Sequence, residues 1–372
     1  MHIGLNLLYL KPKVVGGTET NARGLLSWLM KLDNSPRFTL FVNKETYQCN
    51  IFQGWHTVVC PIRAEFRLLR YAWEQLILPF QAKKLRIDLL HSLGYVQPLR
   101  LPCKSVVTIH DLNFYNIGHL MSPLRRMVLQ YFVPRSAKIA DHIITVSEFS
   151  KKQIVELLRI PSKKVTVIYN APKAPPAQKI ELEELQRRYG ITQPYIFALS
   201  SKSPHKNIGN LIKAFFLLKE YDYKDLKLVL AGHLPRNSDE LYTLVGRSKF
   251  SKDIIFTGYV PDEVLASLYT NAEVFVFPSL YEGFGIPVLE AFQYGTPVAC
   301  SNRAALPEIA GDAAVYFDPT DVEGMAEMLG LLLADENKRR CLVQIGKQRV
   351  AHFTWGEAAR KTLAVYRQVL SS

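Results

Sequence analysis

Short apolar runs rich in Val, Ile, Leu and Phe alternate with longer helical patterns along the whole chain, and this alternation limits the fold more than any other feature. The first half contains HIGLNLLYL, FTLFVN, DLLHS, SVVTIHD, HIITVS and VTVIYN. The second contains YIFALS, LKLVLAG, IIFTGYV, VFVFPS, PVACS and AVYFD. Runs that are apolar at successive positions suit strands covered on both faces, as in parallel sheets built from βαβ units. Stretches such as TETNARGLLSWLMKL, SEFSKKQIVELLRI and NIGNLIKAFFLL between them have helical spacing. Two such series predict an α/β protein of two doubly wound, Rossmann-like domains, and 372 residues suffice for both.

The boundary is expected in NAPKAPPAQKIELEEL, residues 170–185, which is rich in Pro and Ala and then turns acidic. It divides the chain into domains 1–173 and 174–352, followed by a terminal helix in 353–372. Thr354 is the expected N-cap of that helix, with Glu357 as its capping-box partner.

Charge changes at the same place. Residues up to Lys173 carry 24 Lys/Arg against 10 Asp/Glu, and the rest carry 22 against 23. The first domain should therefore meet something anionic, such as lipid headgroups, nucleic acid or a phosphorylated substrate. Two basic stretches with interleaved apolar residues, 61–86 and 122–138, predict amphipathic helices that lie on an anionic membrane or pack their apolar faces on the domain core. No signature of RNA or DNA binding is visible, so nucleic acid is not an expected partner. The five cysteines stand singly and none forms a CxxC pair, which predicts free thiols and no zinc site. The first apolar run lacks the flanks of a signal peptide, and no run is long enough to span a bilayer. The expected location is cytoplasmic, with the inner face of the membrane as a peripheral site.

The stretch YEGFGIPVLE, residues 281–290, carries the clearest chemistry. Gly283 and Gly285 permit a tight loop after the strand VFVFPS, and Pro287 suits the first turn of a helix. Free amides at that helix start form an anion site suited to a diphosphate. Glu282 and Glu290 flank the turn near the C-terminal ends of the strands, where open α/β sheets bind ligands. Carboxylates there accept hydrogen bonds from sugar hydroxyls and ribose diols.

These residues, with the intervening GFGIPVL, resemble the E-x7-E motif of retaining glycosyltransferases of the GT-B fold, family 4 (group 1). Further blocks extend the resemblance over almost the whole chain: GGTETNARGLL, VTIHD, ITVSEFSKKQI, VIYNAP, PHKNIGNLIKAF, GYVPDEVLASLY and ALPEIAGDAAVYFDP. The resemblance implies two Rossmann-like domains facing across a cleft, with the C-terminal helix packed back on the first. It implies a hexosyltransferase that takes a GDP- or UDP-linked sugar to a glycan or lipid-linked acceptor in cell-envelope polysaccharide or glycolipid synthesis. Glu282 would bind donor-sugar hydroxyls and Glu290 the ribose. Gly283, Phe284, Gly285 and Ile286 would present the loop and its amides to sugar and phosphates. Lys206 would pair with the diphosphate, Gly16 and Gly17 would approach it from the first domain, and His110 would contact the donor sugar near the reacting carbon. Base recognition is expected near Gly258–Val260, with Val260 at its edge.

Where many relatives carry an arginine several residues before the lysine, or immediately before it as R-K-N, this chain reads ALSSKSPHKN, leaving Lys202 as the candidate second cation. Lysine lacks the guanidinium fork. No DxD motif is present, so no metal or other cofactor is expected. Two other readings stay open on sequence alone. One is a GT-B enzyme of another reaction, such as a phosphorylase or epimerase. The other is a non-enzymatic basic protein that binds nucleic acid or lipid.

Overall fold

The computed structural model describes residues 1–12, 16–32, 36–221, 223–235 and 240–372. The chain divides into two compact units, Met1–Ala171 with Thr354–Ser372, and Pro172–Phe353. Each contains one fully parallel sheet with helices on its faces, the architecture of two Rossmann-like domains.

The first unit has seven strands: β1 (His2–Asn6), β2 (Arg37–Val42), β3 (Thr57–Val59), β4 (Leu89–Ser92), β5 (Lys104–Thr108), β6 (His142–Thr145) and β7 (Val165–Val167). Their order is β3-β2-β1-β4-β5-β6-β7. The second has six: β8 (Tyr195–Ser200), β9 (Lys227–Gly232), β10 (Ile254–Gly258), β11 (Val274–Phe277), β12 (Val298–Ser301) and β13 (Ala314–Phe317), in the order β10-β9-β8-β11-β12-β13. Each apolar run of the sequence contains one strand. The additional strand is β3, a half-exposed edge of three residues too short to announce itself by periodicity.

The central strands β4, β6 and β11 are buried at every position, as layers of helix on both faces require. In the second unit, the helix Ile208–Glu220 places Leu211, Phe215 and Leu218 on one face. They share a core with Met325 and Leu329 of the helix Val322–Ala334 and with Ile196 and Leu228 of the sheet. Each such side chain contributes roughly 1.5–3 kcal/mol when fully buried.

Thr354 caps the terminal helix Trp355–Ser371 by accepting the Glu357 N–H at 3.2 Å. This helix belongs to the first unit. A Cβ on Gly24 would lie 2.1 Å from the Trp355 indole, so glycine lets the helices approach. Tyr366 is fully buried, with its hydroxyl 2.6 Å from His91 Nδ1, and His91 Nε2 lies 2.8 Å from the Thr108 hydroxyl. All five cysteines are free.

The basic stretches form the helices Arg67–Leu76, Leu78–Lys84 and Pro123–Ile139. The first of these departs from an ordinary amphipathic helix. Its buried residues are Arg70 and Glu74, while Leu68, Leu69 and Leu76 face outward.

Candidate functional site

Strand order reverses between β1 and β4 in one sheet and between β8 and β11 in the other. In open α/β sheets the crevice outside the C-terminal ends of such neighbours is the ligand site. Residues from the ends of β8 and β11 therefore define the candidate site of the second unit.

Beyond β11 the chain turns through residues 278–285 into the helix Ile286–Tyr294. Gly285 is the N-cap, with φ of +118°, and a Cβ there would come within 2.7 Å of Leu306 Cδ2. Only glycine fits that position without strain. Pro287 sits in the first turn, and Gly283, Phe284, Gly285 and Ile286 are buried. The amides at this helix start are the groups suited to an anion.

Beyond β8, a single 3₁₀ turn, Pro204–Lys206, precedes the helix Ile208–Glu220. Asn207 adopts φ of +58° at the junction and donates its side-chain amide to the Pro319 carbonyl at 2.6 Å. The Leu280 N–H donates to the His205 carbonyl at 2.8 Å, tying this turn to the loop after β11. Lys206 Nζ thereby stands 2.5 Å from Glu282 Oε1 and 5.0 Å from the Phe277 ring centre. Both members of the ion pair are mostly shielded from solvent. Such a pair is a balanced donor–acceptor set. The carboxylate takes hydroxyl protons, and the ammonium faces negative charge.

Glu290 lies one turn into the helix with different partners. Its Oε2 accepts the Tyr269 hydroxyl at 3.2 Å. Burial pushes its carboxyl up to about 6, against the opposing pull of the Tyr269 hydrogen bond and the Lys173 charge. Burial and the neighbouring carboxylate also hold the Tyr269 phenol well above its usual range. The structure thus joins Glu282 to Lys206 and gives Glu290 a separate, more enclosed setting. Lys202 is exposed, and Val260 is half-buried two residues beyond Gly258, the end of β10.

Two residues of this site had no clear signal in the sequence. Ser200, the last residue of β8, and Ser279, just past β11, each bury a hydroxyl without a hydrogen-bond partner. Unpaired buried hydroxyls are uncommon, and these flank the point of strand reversal. A serine ending an apolar run reads as a turn residue, so only the strand order exposes their shared position.

In the first unit, Gly16 and Gly17 are exposed at the start of the helix Gly17–Leu29, and a Cβ on Gly16 would meet open space. His110 is buried just past β5, its ring 5.3 Å from that of Tyr95. Its Nε2 lies 3.0 Å from the Leu93 carbonyl, an oxygen that only accepts, so Nε2 carries the proton. Burial lowers His110 to about 4, and it is neutral at pH 7 with Nδ1 as the acceptor nitrogen. Asp111 accepts the Asn113 N–H at 3.1 Å and so caps the turn that follows β5. Here too the reversal point gathers polar groups. Asn6 Nδ2 donates to Ser92 Oγ at 3.3 Å across the ends of β1 and β4. Nearby Glu74 is raised by burial and hydrogen-bonded to Asn6, with the Arg70 charge pulling it down. Glu74 Oε2 and Arg70 Nε are both buried without a hydrogen-bond partner.

Two family models account for most of the chain. Residues 182–349 match glycosyl transferases group 1, and residues 15–172 match glycosyltransferase family 4. The O-antigen chain mannosyltransferase B of Escherichia coli is 32% identical over 280 residues, covering 74% of this chain and 73% of that protein. The MMP alpha-(1->4)-mannosyltransferase of Mycolicibacterium hassiacum is 33% identical over 234 residues, covering 59% of this chain and 56% of that protein. Among solved structures, sucrose-phosphate synthase from Thermosynechococcus elongatus has the same fold, with a TM-score of 0.79 at 19% identity, covering 100% of this chain and 99% of that one. The fold is GT-B, and the chain belongs to the group 1, family 4 glycosyltransferases.

Proposed function

We propose that this glycosyltransferase moves a hexosyl group, mannosyl in the first instance, from a nucleoside diphosphate sugar to a hydroxyl of a glycan or lipid-linked acceptor, with retention at the anomeric carbon, in the assembly of cell-envelope polysaccharide or glycolipid. The Lys206–Glu282 pair at the strand-reversal point of the second unit carries the reading. The sugar assignment rests on the mannosyltransferases among its relatives.

Glu282 holds donor-sugar hydroxyls and Glu290 the ribose. The amides at the start of the helix Ile286–Tyr294 hold the diphosphate, with Lys206 beside them. As the bond from the anomeric carbon to the phosphate oxygen breaks, negative charge grows on the diphosphate. Preorganised donors at that charge are usually the largest catalytic term. Lys206 and the amides supply the positive field that a divalent cation gives other phosphate-handling enzymes, so no metal is required. The acceptor hydroxyl forms the new bond, and its proton leaves with the diphosphate. Neutral His110 offers Nδ1 to a sugar hydroxyl. Gly16 and Gly17 leave their backbone open to the phosphates, and Lys202 is the second cation. Asn6, Arg70 and Glu74 form the acceptor side, where one hydroxyl accepts from Arg70 and donates to Glu74.

Incubating the protein with GDP-mannose, UDP-glucose and a mannose-terminated oligosaccharide, and reading the anomeric coupling of the product by NMR, tests this. An α-linked product from an α-linked donor supports it. Inverted product, or donor turnover indifferent to acceptor, refutes it.

A further inference from the structure

Several serines near strand ends spend their oxygens close by. Ser147 Oγ accepts the Ser150 N–H at 3.0 Å, Ser201 Oγ the Ser203 N–H at 3.1 Å, and Ser301 Oγ the Arg303 N–H at 3.2 Å. This is the ordinary local bonding of serine in turns. Ser200 and Ser279 do not follow it. Both are buried, Ser279 completely, and neither hydroxyl has a hydrogen-bond partner. Their backbones are fixed. The Ser200 carbonyl accepts the His233 N–H at 3.1 Å, and Gly232, at φ of +119°, runs so close that a Cβ there would lie 2.4 Å from the same oxygen. Beside Ser279, the Leu280 N–H donates to the His205 carbonyl at 2.8 Å. The strands bring the two serines together. β8 and β11 pair with Val274 opposite Ile196 and Phe275 opposite Phe197. The same offset carried to the strand ends sets Pro278 level with Ser200, so Ser279 lies one residue farther along the neighbouring segment. Adjacent strands are roughly 5 Å apart, within the span of one diphosphate.

Whatever completes these hydroxyls must accept hydrogen bonds. The carboxylates of the site are already engaged, Glu282 Oε1 with Lys206 Nζ at 2.5 Å and Glu290 Oε2 with the Tyr269 hydroxyl at 3.2 Å. A sugar hydroxyl brings a proton of its own, whereas phosphate oxygens only accept, and their charge strengthens each bond. The surroundings favour the anion. Lys206 closes the turn that follows Ser200. The loop that holds Ser279 runs into the nine-residue helix Ile286–Tyr294, whose start carries free amides and the positive end of its dipole. Neutral hydroxyls add donors at that point without burying another charge.

We propose that Ser200 and Ser279 are donor-binding residues, each donating a hydroxyl hydrogen bond to a phosphate oxygen of the nucleoside diphosphate at this strand reversal. These roles rest on the nucleotide-sugar reading above and add two neutral groups to its cation and amides. The test compares Ser200→Ala and Ser279→Ala with the parent, as full chains, by isothermal titration of UDP, GDP, ADP and dTDP and by thermal unfolding without ligand. The two readouts should separate. Affinity for the nucleotide that the parent binds should fall about tenfold or more in each variant, because a hydrogen bond to a charged group is lost. The unliganded midpoint should hold or rise, because alanine removes an unpaired buried hydroxyl. Variants that bind that nucleotide like the parent would overturn the proposal. So would a lower unliganded midpoint, since the hydroxyls would then be structural groups completed by buried water. A parent that binds none of the four nucleotides refutes the nucleotide-sugar reading and the proposal with it. Binding that is lost in Glu290→Ala yet kept in both serine variants leaves that reading standing and removes the proposal alone.

Discussion

Lys206 and Glu282 lie 76 residues apart in sequence, yet Lys206 Nζ is 2.5 Å from Glu282 Oε1. The turn after β8 and the loop after β11 bring them together because those strands are neighbours at the strand reversal. Each side chain holds the other in place while leaving lone pairs and N–H groups for a ligand. Lys206→Ala should lower kcat by about 10²–10³, the scale of losing one preorganised donor at a developing charge. Lys206→Arg should restore only part of this, since a planar fork does not occupy the place of a point charge. Steady-state kinetics with saturating donor will show whether the loss falls on kcat.

Glu290 is pushed up to about 6 by burial. A ribose diol binds the ionised carboxylate best, so donor affinity should weaken as pH falls through about 6 and flatten in Glu290→Gln. Isothermal titration of the donor from pH 5 to 8 checks this. The stability effect has the opposite sign. The folded carboxyl holds its proton more tightly than the unfolded one, so this group's contribution to stability is lost as pH rises from the usual carboxylate range through about 6. Glu290→Gln should therefore raise the unfolding midpoint relative to the parent above pH 6 while weakening donor binding.

Glu74 Oε2 and Arg70 Nε are buried and lack hydrogen-bond partners. If an acceptor hydroxyl completes them, Glu74→Gln should raise the acceptor KM with little change in donor affinity. A merely structural role would instead lower the unfolding midpoint and leave the acceptor KM alone. Titrating acceptor at saturating donor separates the two.

Tyr366 and His91 tie the terminal helix to the first sheet. Tyr366→Phe leaves His91 Nδ1 buried without its partner, which costs about 1–3 kcal/mol. Urea unfolding should show that loss with donor affinity unchanged.

Much of this was legible in the sequence. Buried parallel strands leave near-continuous apolar runs, so β8 is found in full in YIFALS and every other strand except the short edge β3 within a few residues of its run. The Gly-Phe-Gly-Ile-Pro turn announced its loop and helix start because few residue types suit those backbone positions. What could not be read were relations made by the strand order. Ser200 and Ser279 look like ordinary turn residues until β8 and β11 are side by side. The partnership of Lys206 with Glu282, rather than with Glu290, is equally a matter of which loops meet. The helix Arg67–Leu76 reads as amphipathic in sequence, but which stripe turns inward is decided by its neighbours. There the buried stripe is the charged one, Arg70 and Glu74, beside Asn6 at the end of β1.

On the proposed function, the second unit holds a nucleoside diphosphate sugar at the start of the helix Ile286–Tyr294, between Glu282 and Glu290. Thermal unfolding of the full chain against UDP, GDP, ADP and dTDP and their common sugar conjugates tests it most directly. A ligand at about a hundred times its dissociation constant adds roughly 2.7 kcal/mol of stability. One nucleotide family should raise the midpoint, with the rise lost in Glu290→Ala. No rise with any nucleotide, or a rise that Glu290→Ala leaves intact, would contradict it.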